Sequence, residues 1–405
     1  MTNNKDKKVL NVPNLRFPNF FEEWEEHYLS EYLEFKNGLN PNAEKFGRGI
    51  KFISVMDILS NNVITYDCIR ASVEITAEEL KSFIVKNGDI LFQRSSETLE
   101  DVGRANVYID DKPAVFGGFV IRGKKKSEYN PLFFKYLLAT PYARRKIIPM
   151  GAGAQHFNIG QEGLSKVKLY FPILQEQHKI ASLLQLIDER IATQNKIIEK
   201  LQSLIRGIVT KICSGAFVKG KYVFLRDILI ERHIKNTENY EVYSVSVSQG
   251  IINQIDYLGR SFASKETLHY NVVNYGDIVY TKSPTGDFPY GIVKRSHIQK
   301  PIAVSPLYGV YQPKNDYIGK YLHLYFKSPI NTKNYLHRLI QKGAKNTINI
   351  TNSHFLDNNV FIPEKPELIN IVNLTSAIED KLVLASRMLD SLKSQKGYLL
   401  SKMFI

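Results

Sequence analysis

Four short stretches carry side chains suited to the edges of nucleic-acid bases. Gln93, Arg94, Ser95 and Ser96 follow one apolar run, and Thr281, Lys282 and Ser283 follow a similar one. Gln155, His156 and Asn158 form a second group, matched further on by Lys345, Asn346, Thr347 and Asn349. Arg or Lys suits the acceptors of guanine, Asn or Gln the paired groups of adenine, and hydroxyls adapt to either; backbone phosphates ask only for charge. Asn158 and Asn349 have a competing use as turn or capping residues, and the two uses stand level here. Lys124 to Lys126 and Arg144 to Lys146 read as solvated faces or phosphate contacts rather than base readers.

The bulk properties agree with such a partner. Lys and Arg outnumber Asp and Glu by 54 to 40, a formal charge of +14. That excess favours a polyanion, nucleic acid ahead of an acidic membrane surface, over the alternative of an enzyme with a generally basic surface. With 43% hydrophobic and 23% charged residues the chain is a folded protein, and 405 residues suit two or three domains. Two cysteines, Cys68 and Cys213, provide neither a disulfide framework nor a Cys-rich zinc site, which fits a reducing compartment. The start MTNNKDKKVLNVPNL has no apolar signal core, and no run of about 18 apolar residues occurs. A soluble cytoplasmic protein without a membrane span is expected.

Catalytic motifs are weak by comparison. YNPLFFKYLL (129 to 138) resembles the Asn-Pro-Pro-Tyr/Phe motif of adenine N6-methyltransferases, but it has one proline and no cofactor loop upstream. Its counterpart DYIGKYLHLYF (316 to 326) has no Asn-Pro, so both are expected to be aromatic-rich helices at a domain edge. GAGAQHFNI is not a GxGxxG dinucleotide loop, and neither GxxxxGK[ST] nor HExxH occurs. His156 and His354 fall at non-equivalent places. No catalytic residue, metal ligand or bound cofactor is expected.

The elements that must hold the candidate residues repeat. FPILQEQHKIASLLQLIDERI (171 to 191) is echoed by IPEKPELINIVNLTSAIEDKL (362 to 382) at an offset of 191 residues. Ile180, Leu184, Ile187, Ile191, Gln194, Ile198, Leu201, Ile205, Ile208 and Ile212 alternate spacings of four and three. The second copy keeps the register through Ile371, Thr375, Ile378, Leu382, Ala385, Leu389, Leu392, Lys396, Leu399 and Met403. Thr375 and Lys396 weaken it, with Leu374 able to share the load. Such seams predict a coiled coil. Pro172 and Pro363 suit helix starts and Gly215 a stop. KNGDILFQRSS (86 to 96) also echoes NYGDIVYTKSP (274 to 284).

Each helix of about 40 residues would be about 60 Å long. The connector of about a dozen residues, 214 to 225, spans at most about 40 Å, which favours antiparallel packing. The expected fold is α+β: two mixed recognition domains separated by an antiparallel coiled coil of two long helices, with a pseudo-two-fold internal repeat. The expected boundaries are 1–172 and 214–363 for the domains, 173–213 and 364–405 for the helices.

Two variable domains, each followed by a Pro-x-x-x-Glu-x-x-x-Ile helix, resemble the specificity subunit of type I restriction-modification systems. PILQEQHKIASLLQLIDERI is similar to that family's central conserved region, and LRFPNFFEEWEEHYLSEYLEF (15 to 35), with Trp24, to its N-terminal segment. The C-terminal copy has Glu367-Leu368 where the first has Glu176-Gln177, so the better-kept pair is expected to mark a partner-binding face. The resemblance implies that each domain reads half of an asymmetric bipartite site on double-stranded DNA and that the helices set the spacer. It also implies two methyltransferase subunits as partners, joined by restriction/translocase subunits. S-adenosylmethionine, ATP and Mg would sit on those partners and none on this chain. A free-standing two-headed DNA- or RNA-binding regulator is the alternative.

Overall fold

The computed structural model describes residues 10–60, 62–213, 215, 217–258, 266–342 and 348–405. They form two compact units: residues 1–195 with 387–405, and residues 196–386. Both are built on the same frame, and each is described by itself.

In the first unit, strand β1 (Glu25–Tyr28) is followed by β2 (Leu33–Asn37), β3 (Ile90–Gln93), β4 (Ser95–Ser96), β5 (Ala105–Val107), β6 (Val120–Lys125), β7 (Phe157–Asn158) and β8 (Lys168–Phe171). β2, β6, β3 and β5 lie side by side in that order as an antiparallel sheet. β1 pairs with β8 antiparallel, Glu25 opposite Phe171, and closes the unit just before the long helix. Helix α1 (Pro131–Ala139) packs against the sheet through Phe133, Phe134, Tyr136, Leu137 and Leu138, all buried. This aromatic run lies in the core and not at an edge, because it carries apolar side chains on every turn. Trp24 meets Phe133 and the C-terminal Phe404 edge-on, with centroids 6.0 and 6.2 Å away.

The second unit repeats the plan. β9 (Gly220–Phe224) will pair with the last strand; β10 (Leu229–Glu231), β11 (Ile278–Thr281), β12 (Ile292–Arg295) and β13 (Gly309–Pro313) form a sheet in the order β10, β13, β11, β12. β14 (Asn359–Pro363) pairs with β9, Gly220 opposite Pro363. The Gly-Asp echo marks one turn used twice: Gly88 and Gly276 both take positive φ, 91° and 88°, where a side chain would be strained. The aspartates behind them are buried, accepting the Lys86 amide in one unit and the Asn274 amide in the other. Burial raises both carboxyls above their ordinary range.

Two long helices serve both units. α2 runs from Leu174 to Cys213; α3 (Asp316–Lys327) is the counterpart of α1; α4 runs from Lys365 to Lys402. The predicted domain boundaries fall at the helix ends, whereas the compact units divide both helices midway. Each unit therefore holds half of each helix. Within the first, Ile180 and Leu184 share a core with Leu399 and Met403, while Asp188 meets Lys396, so the halves run antiparallel. In the second, Ile208 and Ile212 share a core with Leu368 and Val372, and Ile205 packs with Ile378, again antiparallel.

All ten seam positions of each helix are buried or half-buried, among them Ile187, Ile191, Leu201, Leu382 and Leu392. Two details differ from expectation. Leu374 is 55% exposed and shares no load; Thr375 is the buried residue, its hydroxyl satisfied by the Ile371 carbonyl. Pro172 directly follows its closing strand and Pro363 ends the other, instead of starting the helices, which begin two residues later. Gly215, at φ 70°, donates its N–H to the Ile212 carbonyl and stops α2.

The seam lysine has a buried partner. Lys396 Nζ lies 2.5 Å from Asp188 Oδ1, and Asp188 Oδ2 accepts the Tyr136 hydroxyl at 2.9 Å with Lys135 Nζ at 3.5 Å. Removing a partner from such a buried group strands charge, at about 3–5 kcal/mol. Asp188→Ala is expected to lower the unfolding free energy by that order in a denaturant titration, while joint replacement of Asp188, Lys396 and Lys135 by Leu, Met and Met restores most of it.

Lys294, on β12, is buried with its ammonium on the Val247 carbonyl, and burial pulls its pKa down to about 8. Lys135 is likewise pulled down to about 8, chiefly by burial. Between pH 8 and the ordinary lysine value the unfolded chain holds more protons than the folded one, so stability rises with pH. Above about pH 10 the buried tyrosines Tyr280 and Tyr311, whose pKa values are raised by burial, reverse the trend. Thermal melts from pH 8 to 10 are expected to shift upward, and Lys294→Met to flatten the rise.

Candidate nucleic-acid interface

In the first unit the fold brings together two stretches that are far apart in sequence. β4 and β7 pair antiparallel, Ser95 opposite Asn158 and Ser96 opposite Phe157. The Ser95 hydroxyl donates to Asn158 Oδ1 at 2.5 Å, and Asn158 Nδ2 donates to the His156 carbonyl at 3.3 Å. Asn158 thus closes its own turn and also stands exposed on the ribbon, together with Gln155 and His156. Its backbone pairs with Ala152 on the other side, and Ile159 donates to the Arg94 carbonyl, tying the ribbon to β3.

Gln93 departs from the expected role. It is buried, and its side-chain amide donates to the Ser95 carbonyl at 2.9 Å, so it braces the ribbon from beneath. Arg94 is half-buried, with Nη1 on the Gly118 carbonyl at 3.2 Å and its amide on the Phe119 carbonyl at 2.9 Å. Arg144 is no phosphate contact: its guanidinium donates to the Glu100 and Val102 carbonyls, fastening the loop that follows β4. Phe119, 68% exposed beside Arg94, was not singled out from the sequence; its signal is an aromatic directly after Gly117-Gly118.

The second unit places its candidates differently. Thr281 is buried at the end of β11, while Lys282 and Ser283 are exposed. Lys345, Asn346 and Thr347 lie outside the described residues. The backbone of Asn349 pairs with Gln341, not with the stretch after β11. The same frame therefore presents a different set of side chains.

Asn130 is not a free side chain. It caps α1, accepting the Phe133 amide at 2.9 Å, while its own amide donates to Gln177 Oε1 at 3.0 Å. Glu176 and Gln177 are not a partner-binding face either. Glu176 is buried in a bidentate pair with Arg16, both contacts 2.8 Å, and Gln177 also donates to the Pro172 carbonyl. The pair holds the first turn of α2 to the unit. Among the described residues no group of His, Cys, Asp or Glu is arranged to hold a metal, and no helix is long and apolar enough to cross a membrane.

Comparison with known proteins agrees with this geometry. Residues 21–203 match the family described as "Type I restriction modification DNA specificity domain". A Methanocaldococcus jannaschii protein described as "Putative type I restriction enzyme MjaX specificity subunit" is 29% identical over 213 residues, 50% of this chain and 47% of the relative. The type I restriction enzyme MjaVIII specificity subunit of the same organism is 22% identical over 200 residues, 48% and 46% of the two chains. The alignments thus span about half the length of these curated relatives. The crystal structure of the type I restriction-modification S subunit from M. genitalium has the same fold, with a TM-score of 0.61 at 16% identity over 97% of this chain and 99% of that one. Over residues 21–203 the chain is similar to the specificity subunits of type I restriction-modification systems, and its fold is that of a solved S subunit.

Because Asn158 is exposed and Ser95 only half-buried, truncating either is expected to cost no more than about 1 kcal/mol. Thermal melts of Ser95→Ala and Asn158→Ala near that of the parent chain are the expected result, whereas Gln93→Leu, which removes the brace, lowers the melt further.

Proposed function

We propose that this chain is the address-giving subunit of a type I restriction-modification assembly. Each unit reads one half of an asymmetric bipartite site on double-stranded DNA, and the helices common to both set the number of base pairs between the halves. Two modification subunits bring S-adenosylmethionine and methylate adenine at that site; restriction/translocase subunits, with ATP and Mg, complete the nuclease. The chain itself carries no chemistry.

The observation that carries this reading is the β4–β7 ribbon. It sets Ser95, Asn158, His156 and Gln155 on a hydrogen-bonded platform beside Arg94, with the donors and acceptors that base edges require. The second unit keeps the frame and changes the side chains, as two different half-sites demand. A free-standing two-headed binder would share the platform but would form no stable complex with a methyltransferase.

Sequencing of modified adenines in DNA from cells expressing this chain with its methyltransferase partner is expected to give one bipartite motif. Arg94→Ala or Asn158→Ala should relax a single half-site, each good base contact being worth about 1–3 kcal/mol. Inserting one heptad in each long helix should alter the spacer or abolish modification while both half-sites keep their sequence. Changed half-sites with an unchanged spacer would sink the ruler, and adenine methylation by the isolated chain would sink the non-catalytic assignment.

A further inference from the structure

A polar cavity of roughly 240 Å³ lies within the second unit, between α3, β12 and the first half of α4. Arg295, His297, Lys320, His323 and Glu379 line it, with Tyr275 at its side. Arg295 is among the most buried side chains of the protein. One of its nitrogens, Nη2, donates to Asp316 at 2.5 Å; Nε and Nη1 have no hydrogen-bond partner, nor has His323 Nδ1. The two imidazoles meet edge to face at 5.1 Å.

The frame does not need these groups. Gly276 donates to the Ser296 carbonyl as Gly88 does to that of Tyr108, which sets Arg295 opposite Val107 and His297 opposite Ile109. The caps Thr140 and Ser328, each followed by a proline-led helix, set His323 opposite Lys135. On the long helices Glu379 stands where the first unit has Asp188, and Ile205 stands where it has Lys396. The first unit's carboxylate is closed over by Lys396, Lys135 and Tyr136. In the second unit Glu379 is taken by Lys327 at 2.8 Å, Asp316 by Arg295 and Lys320, and Ile205 packs into an apolar cluster. What is left over is a buried guanidinium with two unpaired N–H groups and two imidazoles, in the place of valine, isoleucine and a clamped lysine.

We propose that this cavity receives one phosphate-type oxyanion, held by Arg295 with His297 and His323. Arg295 supplies fixed charge in a buried setting, where hydrogen bonds to an ionised acceptor are strongest. The surrounding charge fits the same occupant. Burial holds both imidazoles below their ordinary pKa, aided at His297 by the cations Arg295, Lys327 and Lys320 against Glu379, and at His323 by His297, Lys327, Lys294 and Arg295. A bound anion would offset those cations. Asp380 also lines the cavity and would restrict it to a small occupant.

Two sources share this chemistry, free inorganic phosphate and a backbone phosphate of DNA, and one experiment separates them. The full chain, labelled with ¹⁵N at its nine histidines, is titrated with inorganic phosphate and, separately, with a short duplex of arbitrary sequence, at constant ionic strength. A saturable shift of two imidazole resonances with phosphate alone identifies a free-anion pocket; a shift with the duplex alone identifies a backbone-phosphate seat. Arg295→Gln and His323→Phe should each weaken binding about tenfold or more, the loss of one charge-assisted hydrogen bond, whereas Lys166→Ala should not. If Arg295→Gln fails to fold, His297→Gln retains the test, since it leaves the Asp316 pair intact. No saturable shift with either probe, or shifts unaltered in the variants, overturns the proposal. The proposal stands apart from the DNA-reading ribbon, so failure here leaves that reading untouched.

Discussion

A seam repeating every seven residues is nearly indifferent to sliding by seven residues, and for two long helices that indifference is the principal hazard. Asp188 removes it. Its buried carboxylate takes Lys396 from the returning helix and Lys135 and Tyr136 from the core helix of the first unit. Any slip leaves a desolvated charge without its partner, a penalty larger than the gain from several re-formed apolar contacts. The polar seam position Lys396, which looks like a flaw in the hydrophobic pattern, therefore specifies register, as a single polar residue does in other coiled coils. Arg16 with Glu176, and Gln177 with the backbone at Asn130, do the complementary task at the start of the helix. Register along the helices and attachment to the unit are thus both polar, while the bulk of the stabilising area is apolar.

The two units show which parts of a repeated frame are free to change. The Gly-Asp turn, the four-stranded sheet, the strand pair ahead of each long helix and the capped core helix are kept. Each carries backbone hydrogen bonds or core contacts that no substitution at the surface can replace. What changes are side chains that project from this frame. Ser95 and Asn158 form a ribbon in one unit, whereas Asn349 pairs with Gln341 in the other. Lys135 is a clamp in one, and its counterpart His323 carries a buried ring nitrogen without a hydrogen-bond partner in the other.

Much of this was legible in the sequence because repeats and seams are one-dimensional signals. The four-three spacing of Ile and Leu needs only counting, and every seam position it marks is buried or half-buried. The convergence of residues 93–96 with 155–158 was legible only as two echoes; that they would hydrogen-bond to each other depends on sheet order. Glu176-Gln177 misled for a physical reason. A polar pair on a helix start reads as exposed until Arg16, the partner of Glu176 160 residues away, is known. Gln93 and Thr281 misled similarly, since strand ends alternate faces and one residue's shift moves a side chain from surface to core. Thr375 over Leu374 is the same lesson on a helix: a hydroxyl that bonds its own backbone is cheap to bury, so geometry outranks hydrophobicity.

Placing the candidate base-reading groups on a short ribbon, rather than on a loop or in the sheet, reconciles precision with divergence. β4 and β7 are two residues each, too short to stand alone, but they are tied to the sheet through Gln93 and the Arg94 carbonyl, while Arg144 fastens the loop after β4. The bracing is done by buried groups and main-chain atoms. Exposed positions such as Gln155, His156 and Asn158 can then be exchanged with little cost to folding, which is the freedom that the proposed reading of two different half-sites requires. A site that performed catalysis would need its own reacting side chains fixed and so could not be varied in this way.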